Sequence, residues 1–333
     1  MKTNKTKILI GAVIIVLVAI ALAIFSPAEK AKAEGISVKG SIEQTYKSIK
    51  DGTSGLGQET NITVSGKKDL DNGMVASGKI RLEDSAIDQS SIKISAGKFA
   101  VELGADTGDN IHDDINPRVD DHPADAGSTG ISKYQYTDFM AHDVQHIGFS
   151  YDLGMGPVKL GKVTLNYAPS NNPISAGDGS TTDAGGSATE ILFKGDLGIP
   201  GASFLVGREI VESDTSSAGD QVETVYGASH KIGKLAYGVS YRTFDDETSS
   251  TEVDKSLAYS VAYSFSDKLS GSVERMQSSK KTAGTVDEEV MSYTLGYSLG
   301  GMGVALQYVT ADNVSGVSGT DNEVLQVRTV FNF

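Results

Sequence analysis

Large apolar side chains alternate with small or polar ones from residue 35 to the C-terminus. The clearest runs are residues 235–242, 257–264 and 291–298, where Leu, Tyr, Val or Met at every second position is separated by Ala, Gly, Ser, Thr or Arg. A period of two residues predicts β-strands, each with one large apolar face and one small polar face. The chain is therefore predicted to be all-β.

The alternation predicts about sixteen strands. Their predicted ranges are 36–48, 59–67, 73–83, 90–97, 99–105, 144–153, 160–168, 188–196, 202–212, 221–230, 233–243, 255–265, 268–278, 288–298, 301–311 and 322–333. An even number of antiparallel strands in this range is typical of membrane-spanning barrels.

Short and long connections alternate between the predicted strands. Tight turns such as 231–232 and 299–300 lie at the same end as both termini, whereas long connections such as 106–143 and 169–187 lie at the other. This is the layout of short periplasmic turns and longer external loops. A soluble sandwich would direct its large apolar residues inward and carry more charge on its outer face. The pattern thus favours a transmembrane antiparallel β-barrel.

The N-terminus has the form of an export signal. Lys2, Lys5 and Lys7 precede an uncharged run over residues 8–25, and Ala31-Lys32-Ala33 has the small-x-small form of a cleavage site. We predict a signal peptide over residues 1–33 and a barrel over 34–333, located in the bacterial outer membrane. An uncleaved anchor helix is the alternative, because the apolar run is long for a signal peptide.

Composition excludes several classes of function. The chain has 29 basic and 43 acidic residues, a net charge of −14. Residues 1–33 contain five lysines and one glutamate, so the mature chain is near −18. This charge disfavours nucleic-acid binding, which uses Lys and Arg to displace counterions from phosphate. Zero Cys excludes disulfides and Cys-based sites, and no convincing Gly-x-Ser-x-Gly elbow occurs, so we predict no enzymatic activity.

The last strand ends in an apolar alternation. Leu325, Val327, Phe331 and Phe333 share one face, and Phe333 is the final residue. Left unpaired, such a strand is an aggregation hazard. Pairing with the first strand would close the barrel and remove that edge.

Several segments resemble the general trimeric porins of Gram-negative bacteria. ISVKGSIEQTY resembles their first strand, ITVSGKKDLDNGMVASGKIRLED their second and third strands, SSIKISAGKFAVELG the next hairpin, and VFNF their aromatic carboxy-terminus. The resemblance implies a sixteen-stranded barrel, a homotrimer, and a third external loop near 106–143 folded inward. It also implies that Phe331 and Phe333 form a signal read by the barrel-assembly machinery, with outer-membrane lipid and lipopolysaccharide as further partners. Ala105 stands where the family often has a wall arginine.

The connection over residues 106–143 concentrates acidic residues. Folded inward, it would present carboxylates to passing solutes, which favours cations. The candidate constriction residues in this loop are Asp106, Asp109, Asp113, Asp114, Asp120 and Asp121. A solvated external loop is the alternative. The stretches 109–114 and 120–125 contain the oxygen ligands that Ca²⁺ prefers but lack the EF-hand pattern, and no other cofactor is expected.

Strand parity assigns basic residues to the opposing wall. If Ile36, Ile80 and Ile92 face lipid, then Lys39 and the other cations of these strands face the interior. The candidate wall residues are Lys39, Lys79, Arg81 and Lys93. A basic wall opposite an acidic loop would create a transverse field across the pore.

Together these features predict a water-filled pore for passive diffusion of ions and small hydrophilic solutes, with mild cation selectivity. The alternative is a surface-exposed β protein that acts in adhesion or as a surface layer.

Overall fold

The computed structural model describes residues 33–70, 73–84, 86–105, 110–111, 113, 115–119, 145–155, 158–169, 186–212, 219–246 and 253–333. Within these ranges the chain forms sixteen strands. They are β1 (Ala33–Ile49), β2 (Ser54–Asp69), β3 (Val75–Glu83), β4 (Ala86–Ala96), β5 (Phe99–Ala105), β6 (His146–Met155), β7 (Val158–Ala168), β8 (Ala188–Gly195), β9 (Ala202–Val211), β10 (Gln221–Ile232), β11 (Leu235–Asp246), β12 (Val253–Ser264), β13 (Leu269–Lys280), β14 (Glu288–Ser298), β15 (Met302–Asp312) and β16 (Asn322–Asn332).

The strands form one closed antiparallel barrel. Each strand pairs with its neighbours in sequence, and β1 pairs with β16 from Ser41↔Asn332 to Ile49↔Val324. The prediction of an all-β, sixteen-stranded barrel is confirmed. Most predicted strand ends lie within a few residues of those observed. We call the end with both termini the turn end and the opposite end the loop end.

The large alternating side chains face outward. On β11, Tyr237 and Val239 are 42% and 43% exposed, whereas Gly238 between them is buried. The outward tyrosines concentrate on β10–β15: Tyr226, Tyr237, Tyr241, Tyr259, Tyr263, Tyr293, Tyr297 and Tyr308. Tyrosine is enriched where a membrane protein meets the lipid–water interface, so these residues form the interfacial girdles of the barrel.

Two loop-end connections are shorter than predicted. The predicted connections 49–58 and 84–89 shrink to residues 50–53 and 84–85 because β2 and β4 begin earlier. Of the outward positions near the start of β2, Ser54, Gln58 and Thr60 are polar and only Leu56 is apolar, so the apolar alternation fades while the backbone pairing continues. Asp51 and Asp84 adopt φ values of 55° and 44° in these turns, a region that Asp tolerates.

The C-terminal residue completes the barrel seam. Phe333 exchanges two backbone hydrogen bonds of 3.0 Å with Gly40 on β1. Its ring covers Gly40 so closely that a Cβ there would lie 2.4 Å from the ring carbon Cζ. The ring also stacks on Phe331 at 6.2 Å between centroids. The last strand therefore has a partner along its apolar end.

Residues 1–32, which hold nearly all of the predicted signal peptide, lie outside the described residues. Across the part of the chain that the structure describes, no helix combines the length and hydrophobicity needed to cross a membrane.

Candidate functional site in the barrel lumen

Four basic side chains lie on the inner wall of β1, β3 and β4. Lys39 pairs with Thr63, and Thr63 pairs with Arg81, so these residues share one row and one face. Lys79 and Lys93 point to the same side, because their neighbours Ile80 and Ile92 face outward at 47% and 61% exposure. The inward direction assigned to Lys39, Lys79, Arg81 and Lys93 by parity thus agrees with the observed register.

Two of these cations have an acidic neighbour on the wall. Arg81 lies 3.9 Å from Glu83, and Lys93 lies 3.5 Å from Glu102. In the described ranges, neither Lys39 nor Lys79 forms an ion pair. These two ammonium groups are therefore the wall charges most available to a solute.

A further charged pair borders this wall. Arg328 on β16 binds Glu43 on β1 at 3.0 Å, and Thr45 also donates to Glu43 at 2.8 Å. The pair bridges the seam between the first and last strands. Both side chains point inward, because their neighbours Ile42 and Val327 face outward, but the contact itself depends on the closing register of β1 and β16, which sequence alone does not show.

The described part of the long loop, residues 110–111, 113 and 115–119, lies against the opposite inner wall. Ile111 is fully buried in a cluster with Leu192, Leu205 and Val225, and Ile115 packs against the same cluster. These partners lie on β8, β9 and β10. Burying one such aliphatic side chain stabilises the arrangement by roughly 1.5–3 kcal/mol. Apolar contacts thus hold the first half of the segment to the wall.

Polar contacts fasten the same half of the segment. The Ile111 N–H donates to the Glu190 carboxylate at 2.8 Å, and Lys194 donates to Asp113 at 2.8 Å. Both wall residues belong to β8. Asp113 is the one predicted constriction carboxylate among the described residues, and it is already paired with Lys194 on the wall.

The second half of the segment is fastened to β11 and β13. Asn116 donates to the Ser240 hydroxyl at 3.0 Å, and the Val119 N–H donates to the Ser272 hydroxyl at 3.1 Å. Arg118 contacts both carboxylate oxygens of Glu274, at 2.8 and 3.1 Å. Glu274 is only 3% exposed, so this two-point contact compensates a buried charge.

Glycines on the wall make room for the segment. A Cβ at Gly227 would lie 2.6 Å from Ile115, and one at Gly296 would lie 2.4 Å from Val119. Real Cβ atoms do not approach so closely, so larger residues here would displace the segment. These inward glycines therefore reflect close packing of the loop against the sheet.

Three buried glutamates form a row beneath the segment, and sequence reasoning missed them. Glu190, Glu209 and Glu223 are directly paired across β8, β9 and β10, and all three are fully buried. Asn166 donates to Glu190 at 2.8 Å, and Arg242 donates to Glu223 at 2.6 Å. The alternation directs these three side chains inward, which was the available signal, but the segment that covers them lies about 80 to 110 residues earlier in the chain.

The remaining loop residues of the predicted site lie outside the described residues: Asp106, Asp109, Asp114, Asp120 and Asp121. Among the residues that the structure describes, no group of three or more His, Asp or Glu side chains suits a metal ion. Of the two acidic stretches that contain possible Ca²⁺ ligands, only residues 110, 111 and 113 are described, so calcium binding stays untested.

The loop segment and the basic wall lie on opposite sides of the lumen. The segment follows β8–β14, and β3, which carries Lys79 and Arg81, lies eight strands from β11 in a ring of sixteen.

A sequence profile of Gram-negative porins matches residues 16–333. The chain belongs to the Gram-negative porin family. It is an outer-membrane channel protein, and the family consists of channels rather than enzymes.

Solved porins share this fold at low sequence identity. A porin refined at 1.8 Å resolution aligns with a TM-score of 0.66 and 14% identity, covering 90% of this chain and all of that one. An anion-selective porin from Comamonas acidovorans gives 0.64 and 14%, covering 91% of this chain and all of that one. The trimer form of OmpT from Vibrio cholerae gives 0.59 and 12%, covering 92% and 100%. No curated protein sequence matches the chain.

Proposed function

We propose that this porin is a water-filled channel for passive diffusion of ions and small hydrophilic solutes. The observation that carries the proposal is the anchoring of loop residues 110–111, 113 and 115–119 along β8–β14, which narrows the lumen and leaves the basic wall across from it. Conductance in planar bilayers and swelling of liposomes in neutral sugars of increasing size test it. Steps of conductance with a sharp size limit are expected. A folded, inserted protein without conductance would refute the channel.

We further propose mild cation selectivity. The mature chain is near −18, and the long loop gathers many of its carboxylates. Lys39 and Lys79 oppose this bias locally, so the preference is modest. The reversal potential under a KCl gradient measures it directly. The preference should weaken as salt rises, because the Debye length falls from about 10 Å at 0.1 M to 3 Å at 1 M.

Charge substitutions separate the loop from the wall. Replacing Asp113, Asp114, Asp120 and Asp121 by Asn should move the reversal potential toward zero. Asp113→Asn alone removes one of the four carboxylates and also removes the Asp113 partner of Lys194. It should therefore produce more than a quarter of the shift in reversal potential that the four substitutions cause together. Lys39→Gln with Lys79→Gln should move the potential in the opposite direction. If the four Asn substitutions leave selectivity unchanged, the loop carboxylates do not line the constriction.

The chain is proposed to form a homotrimer through the outer face of β1–β5. Its outward side chains are mostly aliphatic and highly exposed, such as Ile36 at 79% and Leu56 at 83%, whereas the tyrosine girdle covers β10–β15. A groove lined by Ile80, Ile92 and Leu103 crosses this face between small residues. A lipid-facing wall carries interfacial aromatic residues, so their scarcity here favours contact with protein.

A matched pair of tryptophan substitutions tests this face. Ile80 and Val261 are equally exposed outward residues, at 47% and 48%, on β3 and β12. Ile80→Trp should overfill the subunit interface and shift the protein to monomers by mass photometry, whereas Val261→Trp should face lipid harmlessly. Because the chain has no other Trp, fluorescence also reports each environment. A trimer that tolerates Ile80→Trp and dissociates with Val261→Trp would refute the assignment.

Export and assembly complete the proposal. We propose that residues 1–33 are removed as a signal peptide and that the aromatic end, Phe331 and Phe333, is read by the barrel-assembly machinery. Outer-membrane lipid and lipopolysaccharide are the proposed surroundings of the outward face.

A further inference from the structure

The loop between β15 and β16, residues 313–321, folds inward at the loop end of the barrel. Its Val314 packs against a cluster of buried apolar side chains on β12 to β16. This cluster faces the lumen: Met276 of β13 is 1% exposed, and it lies an odd number of residues from Val273, which faces outward at 43% exposure. A side chain of the loop thus reaches the inner wall.

Backbone hydrogen bonds fasten the same part of the loop. The Ser315 N–H donates to the Glu288 carboxylate at 3.1 Å, and the Val286 N–H donates to the Gly316 carbonyl at 3.1 Å. Glu288 is the first residue of β14 and is only 3% exposed, so its carboxylate lies under the loop rather than in open solvent. The loop is therefore held to β14 and to the residues just before it.

The loop also closes on itself. The Val314 N–H donates to the Thr320 carbonyl at 2.7 Å, and the Gly319 N–H donates to the Asn313 side-chain oxygen at 3.2 Å. Asn313 and Ser315 adopt φ values of 55° and 61°, which residues other than Gly adopt rarely and keep only where their surroundings fix them. The loop is thus a compact unit whose shape depends on these contacts.

The loop lies on the same side of the lumen as the segment described above. Val119 at the end of that segment packs against Gly296, whereas Ser315 contacts Glu288, and both partners belong to β14. The two positions are about 27 Å apart along the strand. Solutes that enter from the loop end therefore meet the β15–β16 loop before they meet the segment.

We infer that the β15–β16 loop is a second size filter, which limits the hydrophilic solutes admitted at the loop end before they reach the narrowing segment. Val314 is its positioning residue, because the apolar contact of Val314 and the hydrogen bond of the next residue to Glu288 hold the loop over the lumen. The inference rests on the proposed channel function and adds a second determinant of the size limit.

A matched pair of substitutions within the loop tests the filter. Val314→Asp and Val317→Asp each add one carboxylate to the same loop, but Val317 is 54% exposed and lies outside the apolar cluster. Loss of the apolar contact at position 314 should raise the ratio of detached to attached loop by at least about 10-fold. Liposome swelling should then show a several-fold faster entry of raffinose relative to glucose. Conductance should rise in 1 M KCl, where the Debye length of about 3 Å screens the added charge. Val317→Asp should behave like wild type.

An unchanged ratio of raffinose to glucose entry in folded Val314→Asp would overturn the inference, as would an equal change in Val317→Asp. Heat-modifiable gel mobility verifies folding, and Val314→Ser, which removes the apolar contact without adding charge, decides the question if the aspartate variant does not fold. Maleimide labelling of Val119→Cys should keep its wild-type rate in the Val314→Asp background; faster labelling would show that the segment had moved instead. Absence of conductance in wild type would refute the channel itself, whereas conductance with one size limit in all variants would refute only the second filter.

Discussion

Removing Arg118 should detach the narrowing segment from the wall. Arg118 contacts both oxygens of Glu274, and these side chains are 17% and 3% exposed. Arg118→Ala leaves the Glu274 carboxylate buried without this partner. Breaking a buried pair costs about 3 kcal/mol or more, which raises the ratio of detached to attached segment by about 100-fold.

Other contacts restrict the release to one end of the segment. The ion pair between Asp113 and Lys194 is roughly one-third exposed and is worth about 1 kcal/mol or less, but the buried side chain of Ile111 stays in place. The release should therefore occur around Val119. Glu274→Gln keeps an acceptor for Arg118 and should have a smaller effect.

Thiol labelling measures the release. The chain contains no Cys, so Val119→Cys introduces a single reporter. A water-soluble maleimide should label it at least about tenfold faster in the Arg118→Ala background, and open-channel current noise should rise. The matched control is Arg275→Ala, which removes an arginine from an outward pair with Glu289 and should alter neither quantity.

Unchanged labelling and current noise in a folded Arg118→Ala barrel would show that Arg118 does not hold the segment to the wall. An equal effect of Arg275→Ala would contradict the same role, because the response would then reflect barrel stability rather than loop attachment.

Three further predictions follow from the seam, the leader and the wall. Intact-mass measurement of protein from outer membranes should give a chain beginning at Glu34; a chain that retains Met1 would favour an anchored protein. Deleting Phe333 removes two seam hydrogen bonds, each worth about 1 kcal/mol, and should lower the yield of heat-modifiable barrel; an unchanged yield rejects its role in assembly. Gly227→Val should displace Ile115 and raise current noise, whereas Gly303→Val, which meets nothing within 4 Å, should not; equal noise in both would contradict the packing argument.

The barrel could be predicted from sequence because its determinants are local. Alternation with a period of two sets the face of each side chain, and short turns between neighbouring strands set the pairing. The prediction lost accuracy where the outward side chains are polar, as at Gln58 in β2. There the backbone pairing carries the strand, and the apolar pattern that would reveal it is absent.

The contacts in the lumen were harder to predict because they join distant parts of the chain. Parity directed Lys79 inward correctly, since parity is a local property. The burial of Glu190, by contrast, depends on the segment that contains Ile111, and the pairing of Arg118 with Glu274 depends on the path of that segment around the wall. No periodicity in the sequence predicts these contacts. The inward glycine at position 227 is a sequence feature that reflects them, because it leaves room for Ile115.

The pairing of β1 with β16 has a consequence for the order of folding. Every other strand pair joins strands that are consecutive in sequence and connected by a turn or a loop. The pairing of Ser41 with Asn332, by contrast, joins the first strand of the barrel to the last. Contacts between such distant positions form slowly, because the entropy of closing the intervening chain must be overcome first. β1 reaches the periplasm early in export, yet its seam edge waits for the last residues to arrive. A chain without β16 therefore cannot form the closed barrel, and the channel comes into existence only when the C-terminal strand pairs with β1.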